Sequence, residues 1–226
     1  MKTVSSTCSL FLTRTLFLVL LIPSAKPDPD PLQDYCVADT SSGPPPFFIN
    51  GYPCIDPKLA ISAHFVTSAL SKPGNTAANP FGFSVTLTSI RNMPGVNTQG
   101  LAMARVDIAP LGLVPLHWHP RASEIAIVIQ GNVLVGFVDT SNRLFIQQLR
   151  TGDSFVFPKA TMHFLYNLDS LKVALVISGL NSQNPGAELV ALASFVSNPV
   201  LPAEVLQKSF RINEQDVLRI RRNLGG

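Results

Sequence analysis

The sequence predicts an all-β domain, and three observations carry that reading. Charged residues make up only 14% of the 226, while β-branched and aromatic side chains are plentiful, a composition suited to pleated, half-buried surfaces. Short apolar runs with period-2 alternation recur between residues 81 and 178, and 2 is the side-chain period of a strand. The breaks between them carry turn chemistry: Gln130-Gly131-Asn132, Asp139-Thr140-Ser141-Asn142 and Thr151-Gly152-Asp153. Short strands at this spacing build a sandwich or a barrel.

At the amino terminus, residues 1–25 carry Lys2 and Arg14 as their only charges, an apolar run from Leu16 to Ile22, and small residues at Ser24 and Ala25. This is the layout of a secretory signal peptide. The run is shorter than the roughly 20 residues a membrane span needs, and no later segment reads as a span. Residues 26–60 read as an arm, rich in proline and turn formers. Once Cys8 leaves with the signal, Cys36 and Cys54 remain on an oxidising route where disulfides persist. A bridge between them would close the irregular Ser41-Ser42-Gly43-Pro44-Pro45-Pro46 stretch and contribute about 3 kcal/mol in the chain-entropy model. The alternative is two unpaired buried thiols.

Residues 61–200 read as the β-domain. The stretch 62–70 reads as one short helix or as irregular chain, broken by Lys72-Pro73-Gly74-Asn75. Strands are expected at 83–87, 101–108, 125–129, 133–138, 144–149, 155–157, 163–166 and 173–177. After Pro185-Gly186 the period lengthens. A helix is expected at 202–210 with Pro202 in its first turn, and a second behind Asn213 as N-cap, with Asp216 three residues on. Two short helices in 201–226 are marginal alone and need a barrel or a neighbouring subunit to pack on.

Charge excludes one class of partner. The whole chain has 17 basic and 14 acidic side chains, and removing Lys2 and Arg14 leaves 15 against 14. That balance gives no electrostatic reason to expect nucleic acid. The one basic cluster, Arg219-Ile220-Arg221-Arg222, reads as a helix C-terminus meeting its own dipole. No Asn-x-Ser/Thr acceptor occurs, so N-glycosylation is not expected.

The chemistry concentrates in His117-Trp118-His119-Pro120-Arg121-Ala122-Ser123-Glu124, which holds two of the four histidines and a carboxylate. On a strand, residues 117 and 119 face the same side. Pro120 has no N–H for a ladder, so the chain should turn at 120–123 and open the next strand at Glu124. Such a turn can return the carboxylate to the two rings, and two imidazoles with a carboxylate suit a divalent transition metal. The competing reading is a strand-end pair of histidines with a solvated glutamate. Further on, Gly152-Asp153 feeds a strand that Pro158 ends, and a second turn delivers His163 onto another strand. That strand can lie beside the first, making His163 a third nitrogen ligand; taken alone, it reads as core. His64 stands apart and reads as a packing or surface residue.

These residues resemble a known family. Gly112, His117-x-His119-x4-Glu124-x6-Gly131 matches the first cupin motif, and Gly152-Asp153-x4-Pro158-x4-His163-x3-Asn167 the second. Asp28-Pro29-Asp30-Pro31-Leu32-Gln33-Asp34-Tyr35-Cys36 and Asn50-Gly51-Tyr52-Pro53-Cys54 resemble the start of plant germins and germin-like proteins. Arg105-Val106-Asp107 and Pro120-Arg121-Ala122 fit as well. The resemblance covers essentially the whole chain after the signal. It implies a cupin jelly-roll β-barrel with a Cys36–Cys54 stapled arm and carboxyl-terminal helices that clasp neighbours in a homo-oligomer, a hexamer. It implies manganese, Mn(2+), held by His117, His119, Glu124 and His163, and a secreted protein of the apoplast. By affinity order alone, zinc, nickel or copper would bind such ligands more tightly, so manganese rests on the resemblance.

Three departures bear on activity. Ala160 stands where a glycine is common, so its turn must avoid positive φ or carry strain. Family members that oxidise oxalate hold it with two asparagines; Ala104 and Val114 stand at those positions here. Superoxide dismutase is therefore the expected activity, with superoxide as a small anionic substrate. Oxalate oxidase and a non-enzymatic extracellular binding or storage module are the alternatives.

Overall fold

A computed structural model describes residues 33–41 and 51–225. The signal-peptide reading of residues 1–25 lies outside the described residues, as do 26–32 and 42–50 of the arm. The described residues form ten strands: β1 (Phe83–Leu87), β2 (Ala102–Ile108), β3 (Leu113–Trp118), β4 (Glu124–Gln130), β5 (Asn132–Val138), β6 (Leu144–Arg150), β7 (Ser154–Phe157), β8 (Met162–Asn167), β9 (Ala174–Leu180) and β10 (Glu188–Leu189). They form two five-stranded sheets, ordered β1-β2-β9-β4-β7 and β10-β3-β8-β5-β6, with every pairing antiparallel. The expected strands are all present. The two-residue β10 is additional, too short to leave a periodic signal.

One core fills the space between the sheets, with Ile108, Val128, Val133, Val135, Leu149 and Val176 among its sealed side chains. Burial alternates strictly along β9, and β4 alternates between Ala126 and Val128 inward and Ile125, Ile127 and Ile129 outward. The consequential connection runs from β3 to β4. It leaves one sheet and enters the other, so residues on either side of Pro120 face each other across the barrel interior.

Outside the sheets, residues 62–70 take the irregular form, as 3-10 turns at Ser62–Phe65 and Ala69–Ser71. An ion pair between the half-buried Arg105 and the buried Asp107 pins this covering segment to β2. Arg105 donates to both Asp107 oxygens at 2.8 and 2.9 Å and to the Leu70 carbonyl at 3.1 Å, while the Gly74 N–H donates to Asp107 at 2.8 Å. Cys36 and Cys54 are joined by a disulfide. Beside it the buried Asn97 accepts from the Tyr52 N–H at 3.0 Å and donates to the Tyr52 carbonyl at 2.8 Å.

The carboxyl-terminal region holds three helices, α1 (Val190–Phe195), α2 (Ala203–Phe210) and α3 (Glu214–Asn223). Pro202 is the N-cap of α2, one position before the expected first turn. Asn213 caps α3, its side chain accepting from the Asp216 N–H at 2.9 Å. The two helices expected to need a surface to pack on find part of it within the chain. Helix α1, which the sequence does not announce, brings Phe195 against the buried Leu206 and Val217 to form a small separate cluster. Arg221 ties it together, donating to the carbonyls of Phe195 at 3.1 Å and Leu201 at 2.6 Å. Val205, Phe210 and Leu218 remain 44–48% exposed.

Candidate metal centre

The two motifs meet inside the barrel. His117 on β3 and His163 on β8 are direct partners across the ladder, so their rings share one inner face, with centroids 4.1 Å apart. His119 lies one residue past β3, its ring centroid 5.2 Å from that of His117 and 5.3 Å from that of His163. Glu124, first residue of β4, reaches the group from the opposite sheet. One donor atom from each of the four lies within 4.8 Å of all the others, and no other such group of three or more occurs among the described residues. His64 is elsewhere, its Nδ1 accepting from the Ile61 N–H at 3.2 Å.

Backbone carbonyls aim the rings. Nδ1 of His117 pairs with the Pro115 oxygen at 2.8 Å, Nδ1 of His163 with the Thr161 oxygen at 2.8 Å, and Nδ1 of His119 with the Gly186 oxygen. A carbonyl only accepts, so each Nδ1 carries the proton. A neutral ring then has its Nε2 lone pair free for a cation. Nε2 of His119 lies 2.9 Å and that of His163 3.6 Å from the same Glu124 oxygen. The Phe157 ring stacks on His163 at 4.4 Å and restricts its rotation.

The electrostatics follow from burial and proximity. Burial pushes the His117 pKa down to about 4, and the neighbouring His163 adds to that. Burial would raise Glu124, but His119 and His163 hold its carboxyl well below the usual carboxylate range. The Ser178 hydroxyl helps, although it is buried and makes no hydrogen bond of good geometry. For His119, burial lowers the pKa, while Glu124 and the Gly186 carbonyl outweigh it and leave the pKa raised.

This donor set fits a divalent cation. His163 is 1% exposed, yet its Nε2 has no hydrogen-bond partner, an arrangement that costs on the order of 1–3 kcal/mol for a buried polar group. Three converging lone pairs and an ionised carboxylate supply nitrogen and oxygen donors with fixed tautomers. A cation among them satisfies all four at once.

A cavity of about 320 Å3 adjoins the group, and His117, His119 and Glu124 line it together with Ala104 and Val114. Sequence reasoning missed the parts that orient the site. Gly186 is one: its φ is +68°, and a Cβ there would meet the Arg121 guanidinium at 2.8 Å. Arg121 in turn donates to the Asn184 carbonyl at 2.6 Å and to its side chain at 3.1 Å, fixing the loop whose carbonyl aims His119. The Pro185-Gly186 pair marks only a turn and says nothing of its partner. Phe155 does not line this cavity and packs against the main core.

Comparison with known proteins agrees with this geometry. Residues 68–218 match the Cupin family. The chain is similar to Germin-like protein 3-1 of Oryza sativa subsp. japonica, with 56% identity over 220 residues covering 96% of each chain. It is similar to Germin-like protein subfamily 1 member 1 of Arabidopsis thaliana, with 54% identity over 211 residues covering 93% of this chain and 97% of that one. Among solved structures, an oxalate oxidase superposes with a TM-score of 0.82 at 40% identity, covering 88% of this chain and 99% of that chain.

Proposed function

The chain belongs to the cupin family and, within it, to the germin-like proteins, and from that premise we propose that it is a secreted manganese superoxide dismutase. The observation that carries the reading is the contrast between a complete donor set and a bare wall. His117, His119, Glu124 and His163 would hold the metal, while Ala104 and Val114 offer a substrate no side-chain hydrogen bond.

Manganese, moving between its divalent and trivalent states, would supply the one-electron steps. The overall reaction converts two superoxide anions and two protons into oxygen and hydrogen peroxide. This chain's part is to bind, attract and exclude. A single carboxylate against a divalent ion leaves the centre net positive, which draws a small anion. The apolar walls limit water around it. The Nδ1 protons are committed to the carbonyls of Pro115, Gly186 and Thr161, so the rings serve as ligands rather than acids. Among the described residues no other titratable side chain lines the cavity, so this reading takes the protons from solvent.

Oxalate oxidation is the second reading, favoured by the 40% identity to a solved oxalate oxidase. Both activities should be measured on one manganese-loaded preparation, before and after chelation. The expected result is metal-dependent superoxide removal with negligible oxalate turnover. Robust oxalate turnover would reverse the choice, and neither activity would leave a non-enzymatic binding or storage module.

The proposal extends to location and assembly. Export to the apoplast is supported by the layout of residues 1–25, taken as a removed signal peptide, and by the disulfide-stapled arm within 26–60. A barrel domain at 61–200 would carry the chemistry, and residues 201–226 would clasp neighbours in a homo-oligomer, a hexamer. The outward apolar side chains Val205, Phe210 and Leu218 support that role. Light scattering should report a hexamer that the double change Val205→Glu, Leu218→Glu dissociates; a monomeric unmodified protein contradicts it.

A further inference from the structure

The cavity over the four donors is larger than superoxide needs. Its 320 Å3 falls in the range of small-molecule sites, about 300–1,000 Å3. A diatomic anion takes up only about the volume of a water, roughly 30 Å3 in the liquid. Both sheets contribute walls, with Ala104 and Val106 on β2, Val114 on β3, Leu165 on β8 and Leu180 on β9. None of these side chains has a polar atom. An edge strand of each sheet lines it, through Val85 of β1 and Leu189 of β10, and Val85 is 48% exposed.

Polar groups gather at one end. His117, His119 and Glu124 face the cavity there, and the Asn184 side chain on the rim is engaged by Arg121. The space is therefore asymmetric, with a cation-binding end and an apolar remainder.

We propose that this cavity binds a small organic monocarboxylate, its carboxylate at the cation and its apolar body against Val106, Val114 and Leu165. The inference rests on the metal-centre reading above. Charge sets the head group: a divalent ion with one carboxylate leaves one positive charge to be balanced. The walls set the body. A second carboxylate would be pressed against Ala104 and Val114 without a donor, and burying an unpaired charge is costly. A neutral apolar molecule would leave the cation unmatched.

Isothermal titration calorimetry of the manganese-loaded protein tests this with acetate, butyrate, hexanoate, 3-phenylpropanoate and oxalate as probes. Burying one methylene corresponds to about a fourfold gain in affinity. Hexanoate should then bind on the order of 10²-fold tighter than acetate, by the same per-methylene gain, and tighter than oxalate. Chelation should abolish the series. Val114→Asn should flatten the chain-length dependence while the electron paramagnetic resonance signal of bound Mn(II) stays unchanged, which places the loss at the wall and not at the metal. A flat series, equal affinity without metal, or oxalate as the tightest probe overturns the inference. Dismutation assayed on the same preparation separates the two readings. A rising series without dismutation supports this inference and removes the dismutase, dismutation with a flat series removes the inference alone, and failure to take up metal removes both.

Discussion

His163 and Asn167 lie four residues apart on β8, both sealed from solvent at 1% and 0% exposure. They treat their polar atoms in opposite ways. The Asn167 amide donates to the carbonyls of Ile108, Ala109 and Lys172 at 2.8–3.1 Å, and its oxygen accepts from the Asp169 N–H at 3.0 Å. His163 satisfies Nδ1 on Thr161 and leaves Nε2 without a partner among three other ligand atoms. A buried polar group with all its bonds made holds the fold together, whereas one left open among convergent donors marks a place for something else.

The flanking turns differ in the same sense. Beyond Asn167, Asp169 accepts from the N–H groups of Leu171 and Lys172 at 2.8 and 2.9 Å, and those bonds hold its carboxyl below the usual carboxylate range. Ahead of His163, Ala160 is held at φ +60°, a region that penalises any residue with a Cβ. Its N–H donates to the His119 carbonyl at 3.2 Å, so the strained turn also anchors a ligand-bearing segment. One end of the strand is relaxed and closed; the other carries strain beside the candidate site.

The largest expected effect separates the two residues by metal content. Changing an outer partner of a ligand typically costs 10–100-fold in affinity, so His163→Ala, which removes a ligand itself, should lower bound manganese by at least that much. Asn167→Leu should retain it. Elemental analysis after equal dialysis measures both, and full occupancy in His163→Ala would break the comparison.

Stability should respond the other way. Asn167→Leu strands buried carbonyls, and at on the order of 1–3 kcal/mol for each unsatisfied group the metal-free protein should lose about 3 kcal/mol in denaturant unfolding. Manganese at 100 times its dissociation constant should add about 2.7 kcal/mol by mass action, equally to the unmodified protein and to Asn167→Leu. His163→Ala should gain far less. Loss of the increment in Asn167→Leu would show that the two ends are not independent.

The smallest effect tests the strained turn. Ala160→Gly removes the Cβ penalty and should stabilise the chain by about 1 kcal/mol, less the entropy glycine loses on folding. Unchanged or lower thermal stability would show that the turn is not strained.

The sequence alone carried the information that depends on neighbouring residues. Parity placed His117 and His119 on one side, Pro120 broke their strand, and Asn213 announced a helix it does cap. Alternating burial, turn residues and caps are short-range physics, so they can be read along the chain. How Glu124 reaches the histidines was not legible in that way. The turn expected at 120–123 is present and Glu124 opens β4 as expected, but the sequence did not say that β4 joins the opposite sheet, so that Glu124 closes on the histidines from across the barrel. Nor did the sequence decide between the two options at Ala160, the Gly186 carbonyl behind His119, or the core that α1 builds with α2 and α3. Each of these depends on pairing between segments far apart in sequence. Only the assembled sheets set which carbonyl meets which ring, because many backbone carbonyls could serve and the fold brings just one within reach.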